Sequence, residues 1–235
     1  MIALLRYQAA ILLRSHRWLF PLIAYGMLVL VGFAASTPLA EGMDWSAAML
    51  LPLVALLTRS MLTAEPDAAR ACVAAAAGPV RAQLAALVTA LGAGAVLAIA
   101  GACFEVVTDQ SAAKHPLPGV VSKISATAAH PQVLVAGLGT AVVCLLVGSA
   151  AGALCNPPLL RHPGLAILST LAAVVFALAS DISPASAALA GYGAGQASRW
   201  PGGVPLLAAG CLLAITWTAS VLAAARRERG SASTA

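Results

Sequence analysis

The stretch AQLAALVTALGAGAVLAIAGACF, residues 82–104, contains no charged side chain between Arg81 and Glu105. A membrane-spanning helix needs about 20 predominantly apolar residues to cross roughly 30 Å of hydrocarbon. These 23 residues meet that requirement. The stretch therefore predicts a helix that crosses a membrane, and the fold depends on how many similar stretches the chain contains.

The whole chain has the composition of a membrane protein. Only 9% of its 235 residues are charged, 61% are hydrophobic, and the mean hydropathy is +0.93. A soluble domain carries about 25% charged residues, because its surface faces water. This composition excludes an ordinary soluble enzyme, a disordered chain and a nucleic-acid-binding domain. The net charge of +5 reflects a scarcity of acids rather than a basic patch, so no nucleic-acid partner is expected.

Charged residues and prolines divide the chain into six apolar stretches, which predicts an all-α, polytopic membrane protein with six transmembrane helices. The transmembrane domain covers residues 18–225, and the predicted spans cover 18–36, 45–62, 83–105, 133–154, 164–180 and 204–225. The first stretch is longer than the apolar core of a secretory signal peptide, although TPLA at 37–40 keeps a cleavage site open as an alternative.

The distribution of Lys and Arg predicts the orientation. Ten of the 13 lie in the N-terminal segment, the loop between spans two and three, the loop between spans four and five, and the tail 226–235. The three others, Lys114, Lys123 and Arg199, lie on the opposite side. Cytoplasmic loops carry the excess of positive charge, so both termini are predicted to be cytoplasmic. The 11 Arg against two Lys and the abundance of Ala are typical of a bacterial protein, so the predicted location is the cytoplasmic (inner) membrane.

Residues 1–17 contain a mixed apolar and basic segment that is too short and too charged to cross a membrane. At 100° per residue, Arg6, Arg14 and Arg17 fall within about 80° of one another. The pattern predicts an amphipathic helix along the cytoplasmic interface, whose Arg side chains meet lipid headgroups or a partner. The alternative is a charged flank that only anchors span one.

A second short helix, residues 66–77, is predicted in the loop between spans two and three. Pro66 stands at its first position, Glu65 and Asp67 lie at the positive end of the helix dipole, and Gly78-Pro79 ends it. A tight turn would have connected the two spans. A capped helix there indicates a docking element, with a plain connector as the alternative.

Sites of chemistry are not indicated by the sequence. The central turns of the six spans carry no charge, the motifs GxSxG, HExxH and GxxxxGK[ST] are missing, and no cysteine pair or histidine spacing fits a metal site. We therefore expect no catalytic residue, cofactor or metal on this chain. Arg59 and Glu105 lie near span ends and are predicted to be anchors at the membrane surface. Gly148 and Gly152 form a GxxxG match in span four, a candidate for helix packing or for a dimer face.

The order of these parts resembles the permease subunit of a bacterial ABC-2-type ATP-binding-cassette exporter. The stretch TAEPDAARACVAAAAGPVRAQLAALVTALGAG, residues 63–94, is similar to small, Ala-rich permeases of that kind. The resemblance implies that residues 66–77 form the coupling helix, seated on a separate ATPase subunit that binds ATP and Mg²⁺. Its ATPase-docking residues would be Glu65, Pro66, Asp67, Arg70 and Ala74.

The resemblance also implies a second permease, identical or related, facing this one across a pathway lined by spans one, two and five. The N-terminal helix would then flank the coupling helix, and re-entrant helices are expected in the external segment between spans five and six. The residues of that segment themselves indicate at most a short helix over 184–189, because Gly191, Gly193 and Gly195 follow. An apolar, uncharged pathway favours export of an amphipathic or hydrophobic substrate such as a lipid, a peptide or a natural product.

Two other functions remain open. The chain could be an assembly subunit without a pathway. It could instead be a membrane-embedded lipid-modifying enzyme, for which Glu41, Asp44, Asp109 and His115 are the only candidate catalytic groups at one membrane face.

Overall fold

The computed structural model describes residues 1–16, 18–34, 39–108, 131–155, 163–180, 182–193 and 203–232. Within these ranges the chain forms nine α-helices and no strand, which confirms the predicted all-α class. The helices are α1 (Ile2–Arg14), α2 (Leu19–Ala34), α3 (Leu39–Leu62), α4 (Asp67–Ala77), α5 (Pro79–Thr108), α6 (Pro131–Leu154), α7 (Pro163–Ala179), α8 (Pro184–Gly193) and α9 (Gly203–Ala232).

Four of these helices are long and apolar enough to cross a membrane on their own. The qualifying segments are Glu41–Leu62, Pro79–Val107, Gln132–Leu154 and Gly203–Arg226. The helices α7 and α8 qualify only as a pair, bent by 42° at the break between them. The helix α2 has 16 residues, about 24 Å at 1.5 Å per residue, and is too short to qualify. The long apolar helices indicate a membrane protein, while the first and fifth predicted spans are not supported by length alone.

The core of the bundle is built around α3. This helix contacts α2, α5, α6, α7 and α8, and its residues Leu50, Leu51, Val54 and Ala55 are fully buried. By contrast, only 22% of the most apolar stretch of α9 is buried, against 67% for α6. The helices α3 and α6 therefore form the centre of the bundle, and α9 lies at its periphery.

Small residues allow α3 and α6 to approach backbone to backbone. A Cβ on Gly148 would lie 2.6 Å from the carbonyl oxygen of Leu51, and one on Gly152 would lie 2.5 Å from that of Ala55. No side chain fits at either position. The GxxxG match thus packs α6 against α3 within the chain, so its glycines do not form a free face for a second copy.

The segment after α7 differs from the sequence-based expectation. Span five is predicted to end at Ser180 on the outer surface, with at most a short helix over 184–189 because of the glycines that follow. In the structure Ser180 and Pro184 line a cavity together with Val147 and Leu212, which lie inside α6 and α9. The chain therefore bends within the bundle.

The helix α8 continues past the predicted end at Leu189 to Gly193. Its residues Ala185 and Ala188 are buried in the core of the bundle. This packing offsets the low helix propensity of glycine, which costs about 1 kcal/mol relative to alanine.

Some predictions fall outside the described residues: the external loop 109–130 with Asp109 and His115, the loop 156–162, residues 181 and 194–202 of the external segment 181–202, and Arg17. The helix α9 extends past the predicted span end at 225, through most of the predicted tail 226–235, to Ala232.

Candidate functional site

The candidate site is the end of the bundle where α1, α4 and the last turn of α3 meet. The helix α1 presents two faces there. Gln8 and Leu12, one turn apart, are 2% and 8% exposed, whereas Arg6 and Arg14 are exposed. The segment is therefore amphipathic, as predicted, and its buried face includes a polar side chain.

The buried Gln8 connects α1 to the loop before α4. Its Nε2 donates a hydrogen bond of 2.8 Å to Oε1 of Glu65, which is 57 residues away in sequence. A hydrogen bond to a charged group contributes about 1.5–3 kcal/mol, more than a neutral one. This contact joins the N-terminal helix to the connection between α3 and α4, in addition to the packing of α1 on α5.

Arg70 connects α4 to the end of α3. Its Nη2 donates to the carbonyl oxygen of Leu62 at 2.6 Å and reaches that of Glu65 at 3.5 Å. Leu62 is the last residue of α3, whose terminal carbonyls lack partners within the helix and carry partial negative charge. The Arg70 guanidinium supplies both a hydrogen-bond donor for these carbonyls and a compensating positive charge. We call Gln8, Glu65 and Arg70 the polar junction.

The helix α4 occupies the range that the capping signals predict. Pro66 precedes its first residue, and the carbonyl of Pro66 accepts the first helical hydrogen bond from the Arg70 N–H at 3.0 Å. Gly78 ends the helix with φ +85°, a conformation that favours glycine. Since α5 begins at Pro79, a single residue separates the two helices.

The two faces of α4 differ in what they contact. Ala74 is buried and packs toward the bundle on the same side as Arg70. The opposite face is fully exposed and consists of small side chains: Ala68, Ala71, Cys72, Ala75 and Ala76. We call these five residues the small-residue face. A smooth, uncharged face on a rigid helix is suited to lie in a groove of another protein.

The predicted docking residues therefore do not all lie where a partner could touch them. Pro66 is exposed, but Glu65, Arg70 and Ala74 face the protein itself. Asp67 begins α4, and its side chain lies outside the described part of the molecule. Of the predicted interfacial residues, Arg6 and Arg14 are exposed on α1.

Sequence reasoning missed Gln8 and the small-residue face. The available signal for Gln8 was its position: it stands four residues before Leu12, on the side of the helix opposite Arg6 and Arg14. The exposed face of α4 had no signal, because a run of alanines looks the same on every side.

A second polar group of residues lies inside the bundle between α2, α3 and α5. Glu105 is only 6% exposed, and its carboxylate lies directly over Gly42 of α3. The Tyr25 hydroxyl lies against Gly101, one turn before Glu105, and close to Ser46. Glu105 was predicted to be an anchor exposed at the membrane surface, but its carboxylate is enclosed by helices. The glycines on α3 and α5 leave room for this polar group.

Groups for metal binding do not converge in the described ranges. No three His, Cys, Asp or Glu side chains there could hold a metal ion. Of the four candidates for an enzymatic function, Glu41 and Asp44 lie near the start of α3, and the other two lie outside the described residues.

Comparisons of the chain with protein-family models, with curated proteins and with solved structures found no match. The geometry of the site and the sequence therefore carry the functional argument.

Proposed function

We propose that this chain is the membrane-spanning permease subunit of an ATP-driven exporter of the ABC-2 type. It would act as a pair with a second permease, identical or related, and with a separate ATP-binding subunit. The observation that carries this proposal is the helix α4: it is short, begins after Pro66, ends at Gly78 and is exposed on one smooth face. Its other face packs on α5 and binds the end of α3 through Arg70, and Glu65 just before it binds α1.

Six crossings are compatible with the described helices. Four helices qualify by themselves, and the α7–α8 pair adds a bent fifth crossing. The helix α2 is about 24 Å long, within a few ångströms of the hydrocarbon thickness, and such a mismatch costs only fractions of a kcal/mol per Å. It also packs against α3, since Trp45 of α3 donates a 2.8 Å hydrogen bond to its Leu28 carbonyl.

The orientation follows from the charges. With six crossings, α1, α4 and the C-terminal end of α9 lie on one side, together with ten of the 13 Lys and Arg residues. The positive-inside rule makes that side the cytoplasm of a bacterial cell. An ATPase that docks on α4 would therefore have access to cytoplasmic ATP.

The polar junction supports a mechanical role for α4. Movement of this helix would pull on the end of α3 through the Arg70–Leu62 contact and on α1 through the Glu65–Gln8 contact. It would act on α5 directly, because only Gly78 separates the two helices. Closure of the ATPase dimer would thus tilt three helices of the bundle at once.

The substrate class follows from the apolar character of the spans. Their central turns carry no charged side chain. A small ion would lack partners along such a path, whereas a lipid, an amphipathic peptide or a natural product would find apolar surface. We therefore propose an amphipathic or hydrophobic cargo.

Copurification tests the proposal. The tagged protein is extracted from its native membranes in mild detergent, and copurifying proteins are identified by mass spectrometry. A P-loop ATPase should be present in stoichiometric amount. Ala75→Arg, which places a long charged side chain on the small-residue face, should remove the ATPase.

Ala75→Ser is the matched control, because it changes the same position with little change in size and should retain the ATPase. Absence of any P-loop ATPase from the unmodified protein would overturn the proposal. Retention of the ATPase by Ala75→Arg would show that α4 is not the docking element.

A further inference from the structure

A cavity of about 350 Å³ lies beside the break between α7 and α8. Its walls come from four helices, and Val147, Ala151, Ala173 and Leu212 supply much of its apolar surface. Pockets for small molecules have volumes of about 300–1,000 Å³ and mostly apolar linings. The cavity therefore has the size and surface of a small-molecule site.

The break lies at membrane depth. Val147 belongs to α6 and Leu212 to α9, and both positions are well inside segments that qualify as membrane spans. Irregular backbone at this depth is tolerated only where protein buries it or where it lines a cavity. Interrupted membrane helices also tend to mark binding sites in transporters.

Most polar groups at the break are satisfied locally. The Ser183 hydroxyl oxygen accepts a bond from the Ala185 N–H at 3.2 Å. The Ser186 hydroxyl donates to the carbonyl oxygens of Ser180 and Ser183, at 2.5 and 2.9 Å. These bonds cap the start of α8 and leave little need for a ligand to complete them.

The Ser180 hydroxyl is the exception. Its oxygen is buried and has no hydrogen-bond partner in the described part of the chain, and its residue lines the cavity. A buried polar group without a partner costs about 1–3 kcal/mol. A ligand hydroxyl or carbonyl placed in the cavity could supply the missing bond.

The rim of the cavity is open and apolar. Phe176 and Ile182 on the rim are 70% and 93% exposed. Both side chains are exposed in the single chain, so a molecule can enter the cavity from the side of the bundle. The lining residues that the structure describes offer a ligand apolar side chains and the hydroxyl groups of Ser180 and Ser183.

We propose that this cavity binds a single-chain amphiphile, with its chain against α6, α7 and α9 and its hydroxyl or carbonyl hydrogen-bonded to the Ser180 hydroxyl. We call it the break cavity. The site does not depend on the proposed transport function, because it rests on the geometry of the α7–α8 break alone.

Photolabelling of the purified full-length protein tests the site. One probe is a medium-chain alcohol carrying a diazirine, and the other is the alkane of the same length with the same diazirine. The alcohol should label peptides of α6 and of the α7–α8 break more strongly than the alkane. Ser180→Ala should lower alcohol labelling about fivefold, the effect of losing roughly one hydrogen bond, and bring it to the level of the alkane.

An adjacent pair of variants controls for effects on folding. Ala173→Phe fills the cavity and should abolish labelling by both probes. Ala172→Phe adds the same ring on the exposed side of the same helix and should leave labelling unchanged.

Three outcomes would overturn the proposal. Equal labelling by alcohol and alkane in the unmodified protein would show that the Ser180 hydroxyl does not bind the hydroxyl of the alcohol. Displacement of the alcohol by added phospholipid, but not by unlabelled alcohol, would assign the cavity to bilayer lipid. Loss of self-association in Ala173→Phe, with no alcohol labelling of the unmodified protein at the break, would make this face an interface between copies.

Discussion

The contact between α3 and α6 and the polar junction, which joins α1, the loop before α4 and the end of α3, hold the molecule together in opposite ways. In the first, Gly148 and Gly152 bring two helix backbones together, with no side chain between them. In the second, the connection depends on the side-chain hydrogen bonds of Gln8, Glu65 and Arg70. One contact is apolar and continuous along the helices, and the other is polar and concentrated at a few atoms.

The difference indicates where this protein is rigid and where it can move. A close-packed backbone contact has no alternative arrangement of equal energy, because any shift creates overlap or a void. The polar junction instead depends on separate side-chain hydrogen bonds of about 1–3 kcal/mol each, which can break one at a time. We infer that α3 and α6 move as one body, and that conformational change enters at the polar junction.

The largest effect is expected at the backbone contact. Gly148→Leu would place a side chain where the Leu51 carbonyl lies, and the helices would have to separate. We expect a loss of about 3 kcal/mol or more in stability, because overpacking against backbone cannot be relieved by a change of rotamer. Thermal unfolding in detergent, followed by intrinsic fluorescence, measures it.

Gly92→Leu is the control for that variant. A Cβ at Gly92 of α5 would meet nothing within 4 Å, so the same substitution should be tolerated. Equal destabilisation by both variants would mean that the close backbone contact between α3 and α6 is not the cause of the lost stability.

A smaller effect is expected at the polar junction. Glu65→Ala leaves the buried Gln8 amide without its partner, at a cost of about 1–3 kcal/mol. The loss should be local, with faster hydrogen exchange of the α1 amides and little change in those of α3 and α6. Glu65→Gln retains an acceptor for the Gln8 amide and should restore most of the protection. Uniform loss of protection across the bundle would contradict the division into a rigid centre and a separable junction.

The smallest effect is expected on the peripheral helix. Gly210 of α9 has open space around its Cβ position, and its environment has room for a methyl group. Gly210→Ala should stabilise the protein by up to about 1 kcal/mol through helix propensity. A rise in the unfolding temperature tests this, and a clear fall would show that a further chain covers α9 at this point.

The sequence predicted those features that depend on local signals. Proline, acids and glycine around residues 66–78 predicted the helix α4 with an error of one residue, and long uncharged stretches predicted four helices that can each cross a membrane. Both depend on the chain nearby rather than on distant partners.

Long-range pairing could not be predicted. The GxxxG pattern indicates close approach, but it does not say which helix approaches, and here the partner is α3 of the same chain. Similarly, Glu105 looked like a surface anchor because its position in the sequence says nothing about Gly42 opposite it. The extent of α8 depends on burial of Ala185 and Ala188, which outweighs the local preference of glycine.

The reactivity of Cys72 provides the most direct test of the central claim, that the small-residue face of α4 docks an ATPase. Cys72 is exposed on that face, whereas Cys103 and Cys211 lie within membrane-spanning segments and Cys144 and Cys155 are buried. A water-soluble maleimide should therefore react first with Cys72 in the purified protein. We predict that adding back the copurified ATP-binding subunit slows this reaction strongly, and that Ala75→Arg prevents the slowing. An unchanged rate of Cys72 labelling in a complex shown to be intact would contradict the account.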